Sequence, residues 1–480
     1  MTFTRIARRG LVPVLAAGAL ALAGLVPAAT ATARASTPIR HVVVIDMENH
    51  SFDNLLGYWC DNHPRRCPDG GMPSKVTLSN GAVVTPDVMP DTVPDVNHQV
   101  QAQLAAMNIV GGTPRMNGWQ NIAAIGSQND SCSAATGYKC IGGYKPSQIP
   151  NITSLAQRFA ISDMTFSMAD SPSWGGHLYA AMASLEGFLG NNPVVPRGGQ
   201  GGPGWGCDSR KVTQWRAAGG ALKWVPSCIP DHNLPQANGG AFEPTPVAYH
   251  STIFDELDHA GLSWRIYGAA AATGAGDGGY IWSVCPSLAE CLYTSQRSRL
   301  VDHSQFVANA GAGTLPAFSL VTSGGSGGAV RASCHNKFSI TACDNYVGSL
   351  VSAVENGPDW QSTAIFITWD DFGGFYDQVP PGTNPDGTQR GPRLPLIIVS
   401  PYAKARYTDT TSATFASILA YAEHTFGIAP LGPNDKQAYD FAHAFNYSQA
   451  PLKPTQMVTR PLPPSARHIR LTPALLDDPS

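Results

Sequence analysis

HVVVIDMEN, at residues 41–49, indicates the fold class, because an apolar run rich in β-branched residues ends there in acidic side chains. A second run, Ala364 to Trp369, ends in the same way at Asp370 and Asp371. Apolar runs without polar alternation are typical of strands that are buried on both faces of a parallel sheet. Ligand sites of open α/β sheets lie beyond the carboxyl ends of such strands. The sequence therefore predicts an α/β enzyme with its site at that edge.

The acidic residues after the two runs offer oxygen ligands of the kind that divalent cations prefer. Neighbouring side chains of a strand point to opposite faces, so Asp370 and Asp371 can converge only if the chain curls just after Trp369. Gly373-Gly374 makes such a turn easy. Each acidic cluster taken alone also fits solvated loop residues or helix caps, which commonly use Asp and Asn.

Two long motifs resemble those of the bacterial phosphoesterase family, which includes secreted phospholipases C and an acid phosphatase. The first is ENHSFD at residues 48–53, and the second is DDFGGFYDQVPP at residues 370–381. RLPLIIVSP, at residues 393–401, is similar to the strand that follows the second motif in that family. The resemblance extends over about residues 40 to 430. It implies an alkaline-phosphatase-like, three-layer α/β/α sandwich with a mostly parallel central sheet.

A third segment, residues 163–177, resembles the part of the family in which a Thr or Ser nucleophile is found. By position Ser173 corresponds to that nucleophile, and Ser171 is the second choice. We predict a helix from Leu178 to Leu185, and a hydroxyl just before a helix start meets free backbone donors and the positive end of the helix dipole. An ordinary N-cap serine is the alternative interpretation. Gly175-Gly176 stands where the family usually has Pro-Asn, so we expect backbone amides near Gly176 to approach the ligand instead.

Two histidines complete the site that the resemblance implies. DVNH, at residues 95–98, resembles the family's Asp-x-x-His, and SCHN, at residues 333–336, resembles its His-Pro with Asn336 in place of the Pro. A phosphoester transfer needs an acid for the leaving oxygen and donors to the non-bridging oxygens, and His98 and His335 can supply either. The other histidines have no such anchoring, and His177 and His232 are the first that we would reconsider.

The resemblance implies a two-step phosphoryl transfer through a phosphoserine, assisted by a divalent metal ion whose identity the sequence does not determine. The implied metal ligands are Glu48, Asn49, Ser173, Asp370 and Asp371. The implied catalytic residues are Ser173, His98, His335 and Asn49. The implied contacts with the substrate are Asn49, His98, His335 and Gly176.

The substrate is less determined than the reaction. The Asp370-Asp371 pair resembles the acid phosphatase branch of the family, whereas the lipases of the family tend to have Asp-Glu. Together with the short chain after the catalytic region, this pair favours a phosphomonoesterase. A phospholipase C that cleaves phospholipid head groups is the runner-up, and an inactive secreted binding protein with the same fold is the third interpretation. The expected partner is therefore a small phosphoester or a phospholipid.

The N-terminus predicts export. Arg5, Arg8 and Arg9 precede an apolar run from Leu11 to Ala29, and ARA at residues 33–35 fits a cleavage site, so we interpret residues 1–35 as a signal peptide of the Sec or twin-arginine type. An uncleaved membrane anchor is the alternative, which the prolines and the Ala-rich composition disfavour. The net charge of -3 would become about -7 after cleavage, and a chain of that charge is not expected to bind nucleic acid.

The ten cysteines all follow the signal peptide, and an even count in an exported chain favours disulfides over free thiols. The simplest connectivity joins neighbours in sequence, as Cys60–Cys67, Cys132–Cys140, Cys207–Cys228, Cys285–Cys291 and Cys334–Cys343. We expect the last bridge to hold His335 in place. No Cys-x-x-Cys pair supports a zinc site.

A single catalytic domain is predicted for residues 36–450, because the site residues come from both ends of the chain and must share one pocket. Residues 186–250 are expected to form a cap or insertion, and the Pro-rich tail, residues 451–480, to wrap the surface or to be loose. The predicted helices are Ile253 to Ala260, Tyr346 to Glu355 and Ala413 to Phe426. Trp205, Trp215, Trp224 and Trp282 could contact a membrane, although core packing is the favoured interpretation of each.

Overall fold

The computed structural model describes residues 2, 37–126, 129–233, 245–271, 278–324 and 331–467. Parts of three predicted segments lie outside the described residues. They are residues 3–35 of the signal peptide, residues 234–244 of the cap and residues 468–480 of the tail. The assignments of these segments stay predictions. Among the helices of the described ranges, none is both long enough and apolar enough to cross a membrane.

Short strands and helices alternate along the described chain. The strands, in chain order, are β1 (His41–Met47), β2 (Val76–Thr77), β3 (Val83–Val84), β4 (Asp87–Val88), β5 (Ile109–Val110), β6 (Thr113–Pro114), β7 (Gly142–Gly143), β8 (Ala160–Ser162), β9 (Phe166–Met168), β10 (Val212–Trp215), β11 (Lys223–Pro226), β12 (Trp264–Gly268), β13 (Leu300–Asp302), β14 (Phe318–Thr322), β15 (Thr363–Trp369), β16 (Arg390–Arg393), β17 (Leu396–Val399) and β18 (Thr408–Asp409). The α-helices are α1 (Phe52–Asp61), α2 (Val100–Met107), α3 (Pro150–Arg158), α4 (Ser173–Met182), α5 (Ile253–His259), α6 (Ala289–Tyr293), α7 (Ser304–Ala312), α8 (Ile340–Glu355), α9 (Phe415–Phe426), α10 (Pro433–Lys436) and α11 (Pro464–Arg467).

Eight strands form the central sheet in the order β13-β12-β14-β1-β15-β17-β8-β18. Neighbouring strands run parallel except at β17, which is antiparallel to both β15 and β8. The helices form two groups whose members contact each other: α3, α7 and α8 in one, and α4, α5, α9 and α10 in the other. Every residue of β15 is buried, as expected of a strand that has helices against both faces. The predicted α/β/α class with a mostly parallel sheet is confirmed.

The helices begin where side-chain caps are available, and this explains the differences from the predicted bounds. Helix α8 begins at Ile340 instead of Tyr346, because the Ser339 hydroxyl accepts a hydrogen bond from the Ala342 amide. Helix α4 begins at Ser173 instead of Leu178, and the Asn192 side chain accepts the Trp174 amide at 2.9 Å. Strand β1 continues to Met47, so Asp46 lies within the strand and not after it.

A buried ion cluster joins the two motifs at residues 48–53 and 370–381. The guanidinium group of Arg393 donates to Asp53 Oδ1 at 2.9 Å and to Asp377 Oδ1 at 2.8 Å, and it also covers the ring of Phe52. All three charged side chains are fully buried. Because Asp53 belongs to the first motif and Asp377 to the second, Arg393 fixes the distance between the segments that follow β1 and β15.

All five predicted disulfides are present, with the predicted sequential connectivity. Each closes a loop of between 6 and 21 residues, so it fixes local loop structure and does not join distant parts of the chain. The Cys334–Cys343 bridge connects the His335 loop to α8. This agrees with the expectation that the bridge holds His335 in place.

Arg393→Met should destabilise the protein by about 3–5 kcal/mol, because it leaves two buried carboxylates without their cation. Urea unfolding followed by circular dichroism measures this loss. Arg65→Met, at an exposed arginine, is the matched control and should change the stability by less than about 0.5 kcal/mol. Equal unfolding midpoints for the two variants would contradict a structural role of the cluster.

Candidate active site

The acidic clusters predicted from the two apolar runs lie side by side. Strands β1 and β15 are parallel neighbours with Met47 paired to Trp369, so the segments after them leave the sheet at the same edge. The amide of Asp370 donates to Met47 O at 2.9 Å, and the amide of Asn49 donates to Asp370 Oδ1 at 2.8 Å. These hydrogen bonds join the two segments directly.

The chain curls after β15 as predicted. Gly373 and Gly374 have φ values of 62° and 81°, in the left-handed region that glycine adopts without strain. A Cβ on Gly373 would lie 2.2 Å from the carbonyl oxygen of Asn49, so only glycine fits at this position. The amide of Gly373 donates to Asp371 Oδ1 at 2.7 Å. The turn therefore orients the second aspartate of the pair.

The hydroxyl of Ser173 lies between the two acidic clusters. Its Oγ donates to Asp371 Oδ2 at 3.2 Å and is 3.4 Å from Asn49 Oδ1. The side chain is fully buried and belongs to the first residue of α4, where backbone amides are free of intrahelical partners. The structure thus brings the predicted nucleophile to the predicted ligands.

Ser171, the second choice of nucleophile, does not contact the acidic residues through a hydrogen bond of its hydroxyl. Its Oγ is buried and has no hydrogen-bond partner among the described residues. A Cβ on Gly175 would lie only 2.4 Å from that oxygen, so the Ser171 hydroxyl packs against the first turn of α4. This geometry favours Ser173 over Ser171.

His177 lies in the same cluster, although the sequence analysis gave it no role and named it only as a histidine to reconsider. Its Nε2 lies 2.8 Å from Glu48 Oε1, and its Nδ1 lies 3.0 Å from Asp46 Oδ2. Ser173 and His177 are four residues apart on α4 and therefore share a helix face, which is the signal that could have found it. His232, the other histidine that we would have reconsidered, is exposed and packs against the ring of Tyr249.

The two carboxylates hold His177 in its charged form. Burial lowers the pKa of the imidazole, but the charges of Glu48 and Asp46 outweigh this effect and raise the pKa well above its usual value. With a carboxylate oxygen at each ring nitrogen, the imidazolium can donate in both directions. His177 therefore supplies one positive charge to a group of buried acids.

The remaining acids fit a divalent cation. One ligand atom each of Glu48, His177 and Asp370 lies within 4.8 Å of the others, and all three side chains are buried. Glu48 Oε2 and Asp370 Oδ2 are buried and have no hydrogen-bond partner in the described part of the chain. Burial and neighbouring acids raise the pKa of Glu48 well above its usual range and that of Asp370 to about 6. Unpartnered carboxylate oxygens that repel each other are the donor set that a hard cation needs.

His98 and His335 lie next to each other, with ring centroids 6.1 Å apart. Both are buried, and each ring donates its Nδ1–H to a nearby carbonyl oxygen, Val96 O for His98 and Asn336 O for His335. The Asn336 side chain donates to Val96 O at 3.1 Å and to Gly373 O at 3.3 Å. The residue that replaces the family's Pro therefore ties both histidine loops to the turn after Asp371.

Gly176 has a packing role that the sequence did not indicate. A Cβ there would lie 2.6 Å from the carbonyl oxygen of Asp370, so glycine allows α4 to approach the end of β15 closely. The amide of Gly176 donates to Pro172 O at 3.0 Å, within the first turn of the helix. Its expected amide contact with the ligand stays a prediction.

The sequence model of the Phosphoesterase family matches residues 39–429. The chain belongs to the Phosphoesterase family. This match spans both acidic motifs, the Ser173 segment and both histidine loops, so the residues that the site brings together all lie within the family's own region.

The chain is similar to non-specific phospholipase C1 of Arabidopsis thaliana, with 25% identity over 400 residues that cover 76% of this chain and 61% of the relative. Non-hemolytic phospholipase C of Burkholderia pseudomallei is 23% identical over 471 residues, which cover 85% of this chain and 59% of the relative. The chain thus spans about three fifths of the length of these relatives.

A solved structure with some similarity is a protein of the alkaline phosphatase superfamily from Vibrio parahaemolyticus, with 12% identity, a TM-score of 0.32 and coverage of 62% of this chain and 64% of that chain. A Bacteroides thetaiotaomicron protein of glycosaminoglycan metabolism has 10% identity, a TM-score of 0.38 and coverage of 87% and 78%. The fold class assigned above depends on the strand order of this chain and not on these similarities.

Asp370→Asn tests the charge balance of the cluster through its pH dependence. Without metal, burial raises the pKa of Asp46 and of Asp370 to about 6, so the folded protein retains protons that the unfolded chain releases above about pH 4. Stability contributed by these groups therefore falls as the pH rises from about 4 to about 6. The metal-free variant should lose less stability than the wild type over that range, as measured by melting temperature.

A divalent cation should raise the melting temperature of the wild type, and more at about pH 7 than at about pH 5, because protons compete for the same oxygens. Asp370→Asn should lose most of this gain. Asp69→Asn, at an exposed aspartate, is the matched control and should keep it. An undiminished gain in Asp370→Asn would show that the cation binds elsewhere.

Proposed function

We propose that this protein hydrolyses phosphoric esters with Ser173 as the attacking nucleophile. The observation that supports this most strongly is the position of Ser173 Oγ, 3.2 Å from Asp371 Oδ2 and 3.4 Å from Asn49 Oδ1, at the first residue of a helix. A helix N-terminus favours an anionic ligand through its free amides and its dipole. A phosphoryl group that reaches Ser173 meets both a nucleophile and an electrostatic partner.

The first step forms a bond between Ser173 Oγ and phosphorus while the bond from phosphorus to the leaving oxygen breaks. Asp371 Oδ2 accepts the hydrogen bond of the Ser173 hydroxyl, so it is placed to take the proton as the new bond forms. Asn49 Nδ2 is buried and has no partner among the described residues, so it can donate to a non-bridging oxygen that gains charge.

The leaving oxygen needs a proton, and we assign its delivery to His98 or His335. Their rings are neighbours, so one can act as the acid while the other donates to the phosphoryl oxygens. In the second step, water attacks phosphorus and Ser173 Oγ leaves and regains its proton. The products are the alcohol of the ester and the free phosphate or phosphate monoester.

The residues proposed to hold the divalent cation are Glu48, Asn49, Ser173, Asp370 and Asp371. When bound, such a cation lowers the pKa of the serine hydroxyl and offsets the charge of the phosphoryl group. The geometry adds neutral His177 as a further ligand beside Glu48 and Asp370. In its charged form His177 instead forms a hydrogen bond with Glu48 and an ion pair with Asp46.

We propose phospholipid head groups as the substrate class, because the curated relatives of the chain are named phospholipases C. Phosphomonoesters are the second candidate, which the Asp370-Asp371 pair supports through its likeness to the acid phosphatase branch. Turnover of phosphatidylcholine against turnover of p-nitrophenyl phosphate distinguishes the two. Turnover of neither would favour the third interpretation, a binding protein without catalysis.

We further propose that the protein acts outside the cytoplasm. Five disulfides are typical of chains that fold in an oxidising compartment, and the N-terminal sequence has the pattern of a signal peptide. N-terminal sequencing of the protein from culture medium tests this proposal, and it predicts a mature chain that begins after Ala35.

Ser173→Ala should reduce kcat/KM by roughly a thousandfold or more, because the variant has no oxygen to attack phosphorus. Ser171→Ala is the matched control, since it removes the same group two residues away. It should keep most of the activity. Loss of activity in Ser171→Ala with activity retained in Ser173→Ala would reverse the assignment.

The histidine that protonates the leaving oxygen should be identified by the choice of leaving group. Replacing it by alanine should slow cleavage of an alkyl ester by about 10²–10⁴-fold, because an alkoxide leaves poorly without a proton. Cleavage of p-nitrophenyl phosphate should slow far less, since p-nitrophenolate leaves without one. We expect this split for His98→Ala or for His335→Ala, and none for His259→Ala at an exposed position. Equal losses on both substrates in both variants would exclude either histidine as the acid.

A further inference from the structure

Of the four tryptophans considered for membrane contact, one is not buried. Trp205, Trp215 and Trp282 are buried, as the packing interpretation expects, whereas Trp224 is 60% exposed. It lies on β11, the second strand of the β10–β11 hairpin. Leu222, two residues before Trp224 and just before β11, is 48% exposed. Large apolar side chains that are exposed together require an explanation, because water does not stabilise them.

Trp224 lies on one face of a small antiparallel sheet, together with the half-buried side chains of Val212, Gln214 and Pro226. Gln214 is paired with Trp224, and Val212 with Pro226, so these four residues point to the same side. Val194 forms a bridge with Val212 and extends this face by one more chain segment. The opposite face contains the buried side chains of Thr213, Trp215 and Val225. The sheet therefore has an inner face against the protein and an outer face, which we define as Val194, Val212, Gln214, Trp224 and Pro226.

The chain around the outer face is basic, in contrast to the rest of the protein. Residues 186–230 contain five basic residues and two acidic ones, whereas the whole chain has 31 basic and 34 acidic residues. Four of the basic side chains are exposed, namely Arg197, Arg210, Arg216 and Lys223. The two acids are partnered away from this face, Glu186 by His250 at 3.4 Å and Asp208 by the Tyr280 hydroxyl at 2.8 Å.

The outer face is connected to the candidate active site by two asparagines. Asn192, two residues before Val194, accepts the amide of Trp174, the residue after the proposed nucleophile. Asn191 accepts the amide of Val100, two residues after His98. The segment that leads into the outer face is thus hydrogen-bonded both to the nucleophile segment and to the segment that follows His98.

A second exposed apolar patch lacks the charge. Val83 and Val88 are exposed on strands β3 and β4, and Ile109 and Val110 on the β5–β6 hairpin. Residues 75–117 around them contain two basic and three acidic residues. An aromatic and aliphatic patch with a basic border is typical of surfaces that bind anionic lipid, and only the first patch has both features.

We propose that the outer face of the β10–β11 hairpin docks on an anionic phospholipid surface and so presents lipid head groups to the site at Ser173. This proposal rests on the proposed function and narrows its substrate to lipid within a membrane. Trp224 and Leu222 enter the interface between head groups and acyl chains, where an amphipathic ring is stable. Exposed Arg197, Arg210 and Arg216 bind the lipid phosphates, and this part of the binding weakens as salt is added.

Vesicle flotation with the full-length Ser173→Ala protein tests docking without consuming the lipid. The vesicles are phosphatidylcholine alone or phosphatidylcholine mixed with phosphatidylglycerol. We expect tighter, salt-sensitive binding to the mixed vesicles, and at least about a tenfold loss of affinity in Leu222→Ser/Trp224→Ser. Val83→Ser/Val110→Ser removes two side chains of the second patch and should bind like the parent. Circular dichroism establishes that both double variants are folded.

Several results would overturn the proposal. They are equal binding by the two double variants, no preference for anionic vesicles, or a dimer in sedimentation that the Leu222→Ser/Trp224→Ser change dissociates, which would assign the face to a second copy of the chain. The readout does not depend on turnover. Vesicle binding by a protein that hydrolyses nothing would therefore reject the proposed function alone. Turnover of soluble phosphoesters without vesicle binding would reject only the docking face.

Discussion

The repulsion between carboxylates that are buried together is the main constraint on this structure. Asp46, Glu48, Asp370 and Asp371 are all within the protein, at the ends of two neighbouring strands. Such charges are stable in a poorly solvated environment only if positive charge lies between them. His177 supplies one such charge through ion pairs with Glu48 and Asp46. Because some carboxylate oxygens remain without partners, we expect a cation among them. The positive charge of that cation favours the binding of a phosphoryl group.

The fold serves this cluster by close approach of backbones. Glycine at positions 176 and 373 lets helix α4 and the turn after β15 come within contact distance of Asp370 and Asn49, where any Cβ would clash. Arg393 then joins the two motif segments through a second buried ion cluster. Close packing of α4 against the end of β15 and the hydrogen bonds of Ser173 with Asp371 and Asn49 set the position of Ser173 relative to the acids.

Much of this could be predicted because the signals are local. The apolar runs specify β1 and β15, and short spacings specify the disulfide pairs, since a short loop closes at low entropic cost. The antiparallel direction of β17 could not be predicted, because a buried strand has the same apolar pattern in either direction. His177 was missed for a similar reason: its two carboxylate partners are more than a hundred residues away, and one of them, Asp46, lies inside a strand. The exposure of Trp224 likewise follows from hairpin pairing and not from its own sequence context.

The most direct test of the central claim is to trap the covalent intermediate. The protein is mixed with p-nitrophenyl phosphate, quenched in acid during turnover and digested, and the peptides are analysed by mass spectrometry. The account predicts a phosphate ester on Ser173, in the peptide that begins helix α4. A phosphate ester on Ser171 or another side chain, or turnover without any phosphopeptide, would contradict it.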